Sequence, residues 1–92
     1  MTNELRLDID KETAKGQYSN LAVFSHTPNE FFLDFALMQP QGMAQVVSRI
    51  ITSPQHAKAL MQSLADNIRK YEAQYGPIPD LQSGHMTEGP QA

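Results

Sequence analysis

The residues that could do chemistry in this chain are few and scattered. The three histidines, His26, His56 and His85, lie far apart, and none forms the H-x-x-x-H or H-E pattern of a helical metal site. A metal shared by His26 or His56 with Glu30 or Asp34 remains an alternative. The chain has no cysteine, which excludes disulfides and thiolate zinc sites. We therefore predict no metal and no cofactor.

Asp34 is the carboxylate in the most unusual setting, because it interrupts the apolar run FFLDFALM. A carboxylate placed among aromatic residues often has a shifted pKa, as catalytic acids and bases do. Arg49 lies on the next predicted strand, and a turn at residues 40–42 brings it opposite Asp34. The pattern favours a structural ion pair between Asp34 and Arg49. The alternative is a pocket near Asp34 and His26, used by a small ligand or an enzyme reaction.

Charge and hydropathy exclude several classes of function. The 92 residues carry a formal net charge of −3, and the 7 basic residues are spread along the chain. Binding to a phosphate backbone needs clustered Lys and Arg, so no nucleic-acid partner is expected. No run approaches the roughly 18 apolar residues of a membrane span. The charged N-terminus, MTNELRLDIDKE, is unlike a signal peptide, so we expect a cytoplasmic protein.

The hydropathy pattern predicts four strands. Residues 4–10 alternate strictly between apolar and charged side chains, which is typical of a half-buried strand. Three further runs are rich in β-branched and aromatic residues and are separated by turns at residues 27–29 and 40–42. These predicted strands comprise residues 18–26, 30–39 and 43–52.

One long helix follows the strands. Ser53 and Pro54 suit the N-cap and the first helical turn, and apolar residues then recur every three or four positions as far as Tyr75. Gly76 and Pro77 end the helix. The predicted fold is α+β, a four-stranded antiparallel sheet followed by one C-terminal helix (β-β-β-β-α). Residues 1–76 form the single domain and residues 77–92 a mostly disordered tail.

The predicted sheet has more apolar surface than one helix can cover. The face away from the helix would carry Phe32, Val47 and Ile51, and leaving three such residues in water forgoes several kcal/mol of burial. For a small domain this is comparable with the whole stability. We therefore expect a homodimer or higher homo-oligomer, with Phe32, Val47 and Ile51 at the interface. The alternative is that the tail and the N-terminal loop fold back over this face.

Three stretches carry a resemblance to known families: YSN at residues 18–20, TPNEFFLDF at residues 27–35 and SRIITSPQHAK at residues 48–58. Over residues 18–76 the chain resembles a widespread bacterial family of small proteins, a domain-of-unknown-function group. The order of elements is also similar to that of the export chaperone SecB. That similarity implies a tetramer with apolar grooves that take extended polypeptide.

Together these patterns indicate a non-catalytic, oligomeric binding or assembly module. Such a module would hold a peptide or a partner protein on an apolar groove. The alternative is a small ligand-binding protein or enzyme that uses the pocket near Asp34 and His26.

Overall fold

The computed structural model describes residues 4–81 of the chain. Within this range the chain forms two helices and three strands, which we number in chain order. They are α1 (Lys11–Lys15), β1 (Leu21–His26), β2 (Phe31–Met38), β3 (Ala44–Thr52) and α2 (Pro54–Tyr75). The fold is α+β, with an antiparallel three-stranded sheet in the order β1-β2-β3 followed by the long helix.

The prediction of a fourth strand at residues 4–10 is wrong for the isolated chain. These residues adopt neither strand nor helix, and the short helix α1 follows them. Asp10 caps α1, because its carboxylate accepts a hydrogen bond from the Thr13 N–H. Strict alternation shows that a segment suits a strand, but a strand also needs to pair with a neighbour. Residues 4–10 pair with no strand in the described part of the chain.

The register of the sheet has one irregularity, which lies in β3. Phe35 pairs with Ser48 but Ala36 pairs with Val46, so Val47 is an extra residue that forms a β-bulge. From Ser48 onward the pairing is regular and brings Asp34 opposite Arg49. The bulge changes which side chains share a face, because every residue before it is shifted by one position.

Helix α2 begins and ends where its sequence signals predict. The Ser53 hydroxyl accepts a hydrogen bond from the His56 N–H at 3.0 Å, and Pro54 occupies the first turn. Gly76 follows the helix with a φ of +100°, a conformation that favours glycine. Only Ser53 separates β3 from α2, and Thr52 Oγ1 lies 2.7 Å from His56 Nδ1 across this junction.

The core of the described chain is very small. Only Leu33 and Ala36, both in the central strand, are buried, with exposed fractions of 7% and 2%. The large apolar residues of α2 from Leu60 to Tyr75 keep between 40% and 67% of their surface exposed. No helix in residues 4–81 is long and apolar enough to cross a membrane.

Beyond the boundary predicted at residue 76, the structure describes the chain as far as residue 81. Residues 77–81 have no regular secondary structure, although the Ile78 N–H donates a hydrogen bond to the Glu72 carboxylate at 2.9 Å. The rest of the predicted tail, residues 82–92, lies outside the described residues.

Candidate interaction surfaces

The two faces of the sheet follow from the strand register, because paired residues project to the same side. Phe24, Leu33 and Ile50 form one row, and Phe31 and Phe35 lie on the same side. We call this side the helix-side face, because α2 and α1 line cavities on it. We call the opposite side the open face; it comprises Leu21, Val23, Ser25, Phe32, Asp34, Ala36, Met38, Ala44, Val46, Arg49 and Ile51.

The open face is apolar around a single ion pair. Val23, Met38, Val46 and Ile51 keep between 42% and 52% of their surface exposed. Both helices lie against the helix-side face, so neither covers this side of the sheet. A contiguous apolar surface that stays in water marks an interaction site or an aggregation hazard.

Asp34 and Arg49 form a two-point ion pair in the middle of the open face. Arg49 Nε and Nη2 donate to the two carboxylate oxygens at 2.7 and 2.9 Å. The Arg49 guanidinium also lies 5.3 Å from the centre of the Phe32 ring, within the range of a cation–π interaction. The Asp34 side chain is 13% exposed, whereas that of Arg49 is 56% exposed. The pair therefore satisfies a nearly buried carboxylate and leaves one edge of the guanidinium in water.

The pair also controls protonation of the carboxyl group. Hydrogen bonds from Arg49 lower the pKa of Asp34, partial burial opposes this effect, and the positive charge of Arg49 reinforces it. A carboxylate held ionised by its own partner is a poor general acid or base. The geometry is that of a structural ion pair.

We expect Asp34→Asn to remove a pH-dependent part of the stability. Because the folded-state pKa of Asp34 is lowered, the ion pair stabilises the fold above about pH 4, the usual pKa of an unfolded aspartate. This contribution disappears as the pH falls through the folded-state pKa. Urea unfolding of the Asn variant should give a lower free energy of unfolding at pH 7 and a flatter profile below pH 4. Arg49→Lys keeps the charge and loses the two-point geometry. Its free energy of unfolding at pH 7 should therefore lie between those of the wild type and Asp34→Asn. An acid-induced loss in Asp34→Asn as large as in the wild type would contradict this account.

The cleft between the sheet and α2 is lined almost entirely by apolar groups. Phe24, Phe31 and Leu33 form its floor, and the first three turns of α2 form its wall. Its volume is about 560 Å³, and its one charged lining residue is Lys58. The residues on the α2 side are Pro54, Ala57, Lys58, Leu60, Met61 and Leu64. This size is within the range of small-ligand and peptide-anchor sites.

The structure does not bring Asp34 and His26 together. His26 pairs with Phe31 and stacks on its ring with the centroids 5.4 Å apart, which places it on the helix-side face. Asp34 lies on the open face, so the sheet separates the two residues. His56 lies in the first turn of α2, where its backbone N–H donates to the Ser53 hydroxyl and its ring contacts Thr52. His85 lies outside the described residues. Within residues 4–81 no group of three or more acidic or histidine side chains could hold a metal ion.

The three predicted interface residues are divided between two surfaces. Phe32 and Ile51 are direct cross-strand partners on the open face. Val47, the bulge residue, instead lines a cavity with Phe35 and Ile50 on the helix-side face. The bulge is the reason, because it breaks the alternation that would have placed Val47 with Ile51.

Sequence reasoning missed three contributors to these surfaces. Val23 and Val46 belong to the open face, and Phe24 forms part of the cleft floor. The signal for Val23 and Phe24 was the run Leu21–Phe24, in which neighbouring apolar residues must point to opposite faces. No pattern in the sequence predicts the bulge, which places Val46 on the open face.

Comparison with known proteins gives one match, to a protein family. No curated protein and no solved structure matches the chain. Nothing supports the similarity to SecB. The sheet of the described chain has three strands rather than four, and no solved structure matches the chain. A family model described as "Protein of unknown function (DUF3467)" matches residues 1–80, which include every strand and helix described above. The chain therefore belongs to the DUF3467 family of proteins of unknown function.

Proposed function

We propose that this chain is a non-catalytic module that assembles with copies of itself through the open face and holds a peptide or partner protein in the cleft beside α2. The observation that carries the proposal is the open face itself. Four apolar side chains of this face remain about half exposed around an ion pair that is already satisfied. Such a face has no catalytic group to offer. The main stabilising free energy that it can contribute comes from the burial of its apolar side chains.

The single chain buries little of its apolar surface. Two buried side chains, Leu33 and Ala36, are a small core for the described part of the chain. Each large apolar side chain removed completely from water contributes about 1.5–3 kcal/mol, so covering the half-exposed open face adds several kcal/mol. Small domains without disulfides or metals commonly gain such stability by oligomerisation. A second copy brings an identical apolar face and needs no other gene product.

The cleft supports the binding part of the proposal. Its volume of about 560 Å³ has room for one or two apolar side chains of an extended or helical peptide, and its lining includes Phe24, Leu33 and Met61. Flexible methionine side chains are well suited to a surface that adapts to different partners. Lys58 at the cleft would favour a segment that carries an acidic residue beside its apolar anchors.

Light scattering coupled to size-exclusion chromatography tests the assembly. We expect a mass of at least two copies of the 10.3 kDa chain at micromolar concentration, and a shift toward one copy on dilution. A mass of one chain at every concentration up to about 100 times higher would overturn the proposal. An apolar dye whose fluorescence rises in the cleft then reports on the binding part, and Met61→Glu should reduce that signal without changing the mass.

A further inference from the structure

We infer that residues 4–10 serve as a fourth strand in trans, pairing with the free edge of β3 in a second copy of the chain. This inference rests on the proposed self-association and adds a contact along the edge of β3 to the contact through the open face. Four observations lead to it: the pattern of the segment, its lack of a partner, the free edge of β3, and the position of α1.

The segment has the composition of a strand and none of the contacts of one. Leu5, Leu7 and Ile9 alternate with Arg6, Asp8 and Asp10, so one side is apolar and the other charged. Yet Leu5, Leu7 and Ile9 are 83%, 85% and 65% exposed, and residues 4–10 form no ladder in the described chain. An alternating apolar side of this kind is stable only against another strand.

The outer edge of β3 provides such a partner. With the order β1-β2-β3, every second residue of β3 directs its N–H and C=O away from β2 toward an unpaired edge. Protective features of edge strands are sparse here. Ala44–Thr52 contains no proline, and its one charged residue, Arg49, is engaged by Asp34. The bulge at Val47 leaves residues 48–52 as a regular stretch of five, the same length as residues 5–9.

The position of α1 selects β3 rather than β1. This helix follows residues 4–10 directly, and Glu12 and Thr13 line the same cavity as Val47, Ser48 and Ile50. This cavity includes residues of β2 and β3 and none of β1, so the segment begins on the β3 side of the sheet. The free edge of β1 lies about 10 Å farther away, across two strand spacings. The segment does not pair with β3 of its own chain. If two copies meet at their β3 edges, each can give its segment to the other around a two-fold axis.

Hydrogen exchange of the backbone amides tests the inference on the full chain. In the wild-type oligomer we expect the protected amides of residues 4–10 to exchange at least tenfold more slowly than in Leu7→Pro. Proline removes one ladder N–H at a site with no fold contacts of its own. Leu7→Val is the matched control and should keep both the protection and the mass. Should Leu7→Pro lose its sheet signal, a chain lacking residues 1–9 replaces it and should show the same loss of assembly.

The outcomes separate this inference from the proposed function. An oligomer whose residues 4–10 exchange freely would overturn strand exchange and leave self-association standing. Protection that persists in a diluted monomer would also overturn it, because the segment would then pair within its own chain. A wild-type chain that is monomeric at all concentrations would overturn both.

Cysteine pairing identifies the edge, since the natural chain has no cysteine to interfere. Leu7→Cys in one copy is mixed with Ile50→Cys or Ile51→Cys in another; these two positions cover both sides of the β3 edge. We expect a disulfide between unlike chains with at least one of the two, and none with Ala22→Cys on β1. Cross-linking to Ala22→Cys alone would overturn the assignment to β3.

Discussion

Leu33→Ala is expected to lower the free energy of unfolding by about 2–5 kcal/mol. Leu33 lies in the central strand between Phe24 and Ile50, and it is the only large side chain that is buried in the described residues. Removing three carbon atoms from this position leaves a cavity at the base of the cleft, and so small a core has few neighbours that could fill it. Urea unfolding followed by circular dichroism measures the change.

Leu81→Ala is the matched control for this substitution, because it makes the same chemical change at a residue that is 87% exposed. We expect it to stay within about 0.5 kcal/mol of the wild type. Both variants need one fixed protein concentration, since assembly adds to the apparent stability of the fold. Equal effects of the two variants would show that Leu33 is not the centre of the core.

Ile51→Lys is expected to weaken self-association at least a hundredfold, or about 2.7 kcal/mol. Ile51 lies beside Phe32 on the open face and two residues from Arg49 on the same strand, so the lysine adds a second positive charge to a surface that assembly would bury. In a two-fold interface each copy carries the substitution, which doubles its cost. Light scattering over a dilution series gives the change in the association constant.

Met43→Lys provides a comparison in which the same charge is added elsewhere. Met43 is exposed in the turn before β3, outside the two faces of the sheet. The two variants have the same net charge, so any difference in mass reports on position alone. If Ile51→Lys associated as tightly as Met43→Lys, the open face would not be the interface.

Local signals were sufficient wherever neighbouring residues decide the structure. Ser53 and Pro54 start α2, and Gly76 ends it, because capping depends only on hydrogen bonds within one turn. The short turn between β2 and β3 likewise makes these strands antiparallel neighbours. Its register alone would set Asp34 opposite Ser48, and the bulge at Val47 brings Arg49 there instead. These parts of the fold, and the antiparallel order of β1, β2 and β3, follow from the sequence.

The predictions that were wrong depend on interactions between distant residues, about which a local sequence pattern carries no information. Residues 4–10 alternate as a strand does, but pairing requires a free edge, and the pattern does not say whether that edge belongs to the same molecule. The bulge at Val47 arises from the way β3 fits β2, and it moved one predicted interface residue to the other face. The shared site expected for Asp34 and His26 failed for a simpler reason: the two residues project from opposite sides of the sheet.

Because a single residue joins β3 to α2, a change in the direction of β3 also changes the direction of the helix. Ser53 leaves no slack between strand and helix, and the contact between Thr52 and His56 stiffens the joint. The 22 residues of α2 span roughly 33 Å at 1.5 Å per residue. A tilt of about 10° in β3 would therefore move Tyr75 through roughly 6 Å. A small change in the direction of β3 would in this way become a larger displacement at the C-terminal end of α2.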